Sequence, residues 1–158
     1  MRWPAWVLAI AFLGYAAGKA VFAAQGRLGF PGGPPVSAAE HEAYAREMMD
    51  VATVQWLAVP TGLAAAALVL ATVTALGSRI PRVLMLAALG GMLLTVGAGA
   101  GIMAADGFFG LGVGWRWYHG VVGLVLLGLM AHTVWSYVRY GSPGAPRTPG
   151  AGRGRRTP

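Results

Sequence analysis

The chain has 158 residues, of which 56% are hydrophobic and 11% charged, where an ordinary soluble domain carries about 25% charged residues. That much apolar surface has no place in the core of one water-soluble domain of this length, so the composition points to a bilayer as solvent. The net charge of +7 does not read as nucleic-acid binding, because the basic residues flank apolar runs and are not interleaved with aromatics on a polar face; the absence of cysteine excludes disulfides, thiolate nucleophiles and Cys-ligated zinc or iron–sulfur centres.

Met1-Arg2-Trp3-Pro4 is a short basic entry to a first apolar run, with a span expected over about 4–24. A membrane-crossing helix needs roughly 20 apolar residues, and this run supplies them. A signal peptide with small residues near Val21-Phe22-Ala23 is the rival reading; Lys19 and the length of the run favour a retained span. Lys19 and Gln55, polar groups near the outer ends of their spans, are expected to be satisfied by snorkelling to the interface and an interhelical hydrogen bond, and Gly14 with Gly18 forms a GxxxG pair that suits close helix approach.

Gln25 to Val36 is a Gly/Pro loop without helical period. Ser37-Ala38-Ala39-Glu40 then reads as a capping box, in which the Ser hydroxyl accepts from the third amide of the helix and Glu40 reaches back to the Ser37 amide. The polar helix it opens carries His41, Glu42, Tyr44, Glu47 and Asp50. No glycine or proline separates it from the next apolar run, so one long helix is expected, an extramembrane extension continuing into a second span over 51–76 and kinked at Pro60.

Gly77 to Arg82 is a short turn with two arginines, and a third span follows over 83–105 with a second GxxxG pair at Gly97 and Gly101. Asp106 to Gly120 is an aromatic, glycine-rich loop holding one acid, one arginine and one histidine. The fourth span covers 117–138, where Gly120, Gly123, Gly128 and Ala131 lie within one arc and form a smooth seam for a neighbour. Residues 141–158 are rich in Gly, Pro and Arg and read as a disordered basic tail.

The fold expected is an all-α integral membrane protein, a four-transmembrane-helix bundle. Its orientation follows from the positive charges. Arg2, Arg79, Arg82, Arg139, Arg147, Arg153, Arg155 and Arg156 fall on one side of a four-span arrangement, and Lys19, Arg27, Arg46 and Arg116 on or towards the other. That bias places both termini in the cytoplasm of a multi-pass cell-membrane protein. All five acids (Glu40, Glu42, Glu47, Asp50 and Asp106) then lie on the outer side. Eleven arginines against one lysine, with heavy Ala and Gly use, suggest GC-rich bacterial coding.

Chemistry, where there is any, is expected at the outer side. Glu47, Asp50, Asp106, Arg116 and His119 form the candidate polar cluster, with His41, Tyr44, Gln55, Trp115 and Tyr118 as candidate ligand-lining groups. Carboxylates with histidines suit acid–base work or a divalent cation, but the spacing matches no compact metal motif, and no metal or cofactor is expected. Asp106 and Arg116 suggest an ion pair clipping the aromatic loop. A bis-histidine haem would need His41 and His119 on facing elements, and His132 has no histidine partner. The reading that fits best is a non-catalytic membrane protein binding a partner or amphiphile at its outer face. A membrane-embedded enzyme using the outer carboxylates and His119 on a lipid or isoprenoid-like substrate is one alternative, an oligomeric transporter subunit another. The partners expected are the lipid bilayer and a second copy of the chain, through Gly14/Gly18 or Gly97/Gly101.

Overall fold

The computed structural model describes residues 2–141; the basic segment expected to be disordered, with Arg147, Arg153, Arg155 and Arg156, lies outside the described residues. Five α-helices form: α1 (Trp3–Ala24), α2 (Ala38–Glu47), α3 (Val51–Ala71), α4 (Arg82–Phe109) and α5 (Trp117–Tyr140), with a 3-10 turn at Ala75–Arg79 before α4. Four of them, α1, α3, α4 and α5, are long and apolar enough to cross a membrane.

The chain packs as two antiparallel pairs, α1 with α3 and α4 with α5, and the pairs meet mainly where α1 lies beside α5. Small residues set each close approach. A Cβ added to Gly62 on α3 would stand 3.2 Å from Phe12 O and 3.0 Å from Ala16 Cβ on α1. On α5, one added to Gly123 would meet Ala100 O at 2.5 Å, and one on Gly107 of α4 would meet Gly120 N at 2.7 Å. Leu8, Phe12, Val69, Met85, Leu89, Met130 and Tyr137 fill the centre. Outside that core, large apolar side chains cover the helices, among them Ile10, Leu57, Leu94, Ile102, Val122 and Val125, all exposed. So wide an apolar surface is stable only against hydrocarbon. The structure is that of an all-helical, multi-pass membrane-type bundle.

Several expectations change. The polar helix and the second span are not one helix: α2 ends at Glu47, and α3 restarts at Val51 with Asp50 as its N-cap. The Asp50 carboxylate accepts from the Thr53 amide at 2.9 Å and the Thr53 hydroxyl at 3.0 Å. That local bond competes with helix continuation, which is why the break needs neither glycine nor proline. At its other end α3 stops at Ala71, short of Leu76, and the chain tightens into the 3-10 turn. The third span runs on to Phe109, so Asp106 sits inside α4 and not in a loop; the left-handed Gly110 (φ 65°) ends that helix.

The glycine seams are also used differently. Gly120 and Gly123 do face α4, but Gly128 and Ala131 point away, because the buried face of α5 is the one carrying Gly123, Met130, Thr133 and Tyr137. Gly18 is covered within the chain by Pro31, whereas Gly14 is open. Gly97 packs against Met130 and Leu127, whereas Gly101 is open. Neither GxxxG pair therefore presents both its glycines outward.

Charge is segregated along the bundle. Arg2, Arg79, Arg82 and Arg139 lie at the end where α1 begins and α5 finishes, and the Arg82 guanidinium donates to Val138 O at 2.6 Å there. All five acids lie on the elements of the opposite end.

Candidate functional site

The acidic end is built around the loop from Gln25 to Ser37. Its glycines allow the tight path: Gly26, Gly29 and Gly32 all have positive φ. A loop this poor in side chains has little but its backbone to be held by, and bare carbonyls near hydrocarbon are costly. Four of its carbonyls accept from side chains on other elements. His41 Nε2 donates to Gly26 O at 3.0 Å, and Gln55 Nε2 donates to Arg27 O at 2.8 Å. Lys19 Nζ donates to Gly29 O at 2.8 Å, with Gln55 Nε2 reaching the same oxygen at 3.1 Å. His119 Nε2 donates to Gly32 O at 2.9 Å.

Lys19 is the centre of this arrangement. It is only 7% exposed, so it does not snorkel; its ammonium turns inward to Gln55 Oε1 at 2.7 Å and lies 4.1 Å from the centroid of the Phe30 ring. Gln55 is 1% exposed. Among the described residues the ammonium's partners are two carbonyl-type oxygens and the faces of Phe30 and Tyr15, all neutral, so dipoles and ring quadrupoles take the place of a counter-ion there. Each such bond contributes about 1 kcal/mol net, but removing one partner strands a buried acceptor at about 1–3 kcal/mol.

The second loop, Gly110 to Arg116, is held the opposite way, by its amides. Asp106 is 1% exposed, and its carboxylate accepts from the Val113 amide at 3.1 Å and the Trp115 amide at 2.6 Å. The next amide, that of Arg116, donates to His119 Nδ1 at 3.1 Å. Because Nδ1 accepts there while Nε2 faces a carbonyl, His119 is the neutral tautomer with its proton on Nε2. The ion pair expected between Asp106 and Arg116 does not form: the acid is taken up by backbone, and the Arg116 guanidinium lies 5.4 Å from the Tyr118 ring centroid.

The two loops touch. Trp115 packs edge-on against Phe30, centroids 5.9 Å apart, and Gly33 and Gly114 leave room for Trp115 and Pro34 respectively. Trp115 and Tyr118 also flank the His119 ring, at 5.0 Å and 4.2 Å. The Asp106–Gly120 stretch is thus met by the first loop, and not by the polar helix whose Glu47 and Asp50 were expected to cluster with Asp106, Arg116 and His119. Helix α2 buries no residue at all.

The other candidate residues are spread around this frame. Glu47 is exposed at the end of α2, Tyr44 is half-buried on the same helix, and Asp50 caps α3. The Ser37–Glu40 capping box forms as expected: Ser37 Oγ accepts from the Glu40 amide at 3.2 Å, and Glu40 Oε2 accepts from the Ser37 amide at 2.9 Å. The Ser37 amide, with the Ser37 hydroxyl, holds Glu40 below the usual carboxylate range. The Thr53 amide and hydroxyl do the same for Asp50. His41 and His119 are each committed to a different carbonyl, Gly26 and Gly32, and do not face one another across a shared site. Among the described residues no group of three or more His, Asp or Glu side chains is placed to hold a metal ion.

What remains open at this end is a cavity of about 450 Å³. Phe22, Leu28, Phe30, Pro34 and Val36 give it apolar walls, and Arg27 and His41 its polar edge. Glu47, Asp50, Asp106 and Arg116 do not line it. Of these features, the carbonyl-binding role of Lys19 was missed in the sequence. The signal was present as one lysine and one glutamine near the same ends of two consecutive spans, facing a loop rich in glycine and proline.

The chain matches no protein-family model, no curated protein and no solved structure.

Proposed function

We propose that the chain is a non-catalytic multi-pass protein of the cell membrane, both termini cytoplasmic, whose outer face presents a rigid cap that binds an amphiphile. The observation carrying this reading is the pinned first loop beside its cavity. Lys19, Gln55, His41 and His119 fix four of the loop's carbonyls, and the loop's apolar side chains then wall a space of about 450 Å³. A preformed, half-open cavity of mixed lining, apolar side chains beside loop backbone, Arg27 and His41, suits an amphiphile, a hydrocarbon chain carrying a polar head. Arg27 at that edge would meet an anionic or zwitterionic head group.

The membrane-enzyme reading draws less support. A general acid or base needs a proton-exchanging atom facing substrate, and Asp106 has both carboxylate oxygens on backbone amides while His119 has Nδ1 on the Arg116 amide and Nε2 on Gly32 O. A transport path needs polar groups across the bundle, and the interior between the Lys19–Gln55 pair and Thr72 is filled by Leu8, Phe12, Ala65, Ala66 and Val69. The orientation rests on the arginines at the α1 start and α5 finish.

The test is photolabelling of the full chain in vesicles with a diazirine-bearing lysophospholipid. Labelling should concentrate between Phe22 and His41, be competed by unlabelled lysophospholipid, and fall several-fold in Leu28→Glu. Labelling spread evenly over the lipid-facing residues of all four long helices would overturn the reading.

A further inference from the structure

At the opposite, arginine-bearing end, a second cavity of about 340 Å³ opens where α1 begins and α3 and α5 finish. Its polar lining comes from Arg2, Thr72, His132, Thr133, Ser136, Tyr137 and Tyr140, and the Thr72 hydroxyl donates to Val69 O. Thr133 donates its hydroxyl to Leu129 O and is satisfied within its own helix. Tyr137 is different. It is 4% exposed, it lines the cavity, and its phenol has no hydrogen-bond partner among the described residues. A buried hydroxyl left without a partner forfeits the hydrogen bonds it makes in water, so a native structure that keeps one calls for an explanation.

The other groups around it are of one kind. Arg2 brings five N–H donors, and Ser136, Tyr140 and His132 each have a donor to offer. Helix α1 starts here without a side-chain cap, and Ala5, in its first turn, lines the same cavity, so its N-terminus sets a partial positive charge against the C-terminal ends of α3 and α5, and Arg2 supplies the full charge that decides the sign. No carboxylate lines the cavity, since all five acids lie at the other end. Donors converge, no carboxylate lies among them, and the buried hydroxyl without a partner among the described residues, that of Tyr137, points to an oxyanion.

We propose that this cavity binds a phosphate monoester group, with Tyr137 and Arg2 as its principal donors. Phosphate fits because it offers several acceptor oxygens to donors arriving from the start of α1 and from α5, and because Arg recognises it in bidentate fashion. Such a group comes either on an anionic lipid in the adjoining leaflet or as a free phosphate from the aqueous side. The cavity lies at the end of the bundle, between helices, where both have access.

The experiment uses the full chain in zwitterionic detergent and follows its thermal denaturation with three probes: dioctanoyl phosphatidic acid, dioctanoyl phosphatidylcholine and inorganic phosphate. Phosphatidic acid should stabilise the protein saturably where phosphatidylcholine does not. Its apparent affinity should fall about tenfold in Tyr137→Phe, which removes one hydrogen bond to a charged group, and at least as much in Arg2→Gln. Arg79→Gln, at the same end but outside the cavity, should leave it unchanged. Stabilisation by inorganic phosphate at matching affinity assigns the site to the free ion, and stabilisation by phosphatidic acid alone assigns it to the lipid; either supports the phosphate site. No saturable stabilisation by either probe, or an equal loss in Arg79→Gln and Tyr137→Phe, overturns it. Because Tyr137→Phe retains the buried ring, its unliganded denaturation temperature should stay within a few degrees of the parent, which separates loss of the site from loss of the fold.

Discussion

Lys19 on α1 and Gln55 on α3 are joined by a 2.7 Å hydrogen bond inside the bundle, and together they hold the carbonyls of Arg27 and Gly29. Two helices and a loop are thereby tied at one point. Replacing Lys19 by Met leaves the Gln55 amide oxygen without its donor, and replacing Gln55 by Leu leaves Arg27 O without one. Each should destabilise the chain by about 1–3 kcal/mol, and the double variant by less than the sum, since both remove the same bond. Thermal denaturation in detergent reads this directly. A Lys19→Met protein that unfolds at the parent temperature would show that the bond contributes nothing.

Asp106 makes a second prediction. Asn at this position keeps one acceptor oxygen, while Ala keeps none for the Val113 and Trp115 amides. Asp106→Ala should therefore loosen the Gly110–Arg116 loop more than Asp106→Asn, by about 1–3 kcal/mol. Proteolysis within that loop and the emission of Trp115 in a chain with its other tryptophans replaced would report it. Equal behaviour of the two variants would count against a carboxylate held for its two oxygens.

The glycines divide into those that space helices and those that do not. Gly123→Ala drives a methyl into Ala100 O and Gly107→Ala one into Gly120 N, each expected to cost about 1–3 kcal/mol. Gly14, Gly101 and Gly128 meet nothing within 4 Å, so their alanine variants should be neutral or slightly stabilising. Denaturation temperatures of the five single variants should fall into these two groups.

Two exposed carboxylates, Glu40 and Asp50, are held below their usual range by the amides they cap. A depressed folded-state pKa adds stability above the unfolded value, near pH 4, and that stability is lost as the pH falls through the folded value. Helicity at α2 and at the start of α3 should therefore decline on acidification below about pH 4. Glu40→Gln with Asp50→Asn should flatten that dependence; an unchanged acid profile in the double variant would refute the assignment.

The chain contains no cysteine, so single introduced thiols report orientation without background. In intact cells, Ser37→Cys should react with a membrane-impermeant maleimide and Ser78→Cys only after permeabilisation. The reverse pattern would invert the proposed topology.

Four long helices were legible because a 20-residue apolar run has few other uses, and the Ser37–Glu40 capping box because its bonds are local. The break before Val51 was written just as locally, in Asp50 and Thr53, yet it yields no signal in hydropathy. Lys19 and Asp106 were harder. Both were placed by the usual habit of charged groups near interfaces, whereas their burial depends on the unsatisfied backbone of loops that pack against them from other parts of the chain. Separation along the sequence, from Gly32 to His119 for example, leaves no local trace. The same holds for Gly18, whose partner Pro31 lies in a loop and not on a helix.

The first loop is gripped by main-chain oxygens, which every residue type possesses. Its course across the end of the bundle is therefore largely independent of what its exposed side chains are. Substitutions at Arg27, Leu28 or Pro35 would alter what this surface displays while the path beneath stays fixed by Lys19, Gln55, His41 and His119. Such a frame can change the surface it displays without refolding, in the way that a fixed mount accepts different lenses.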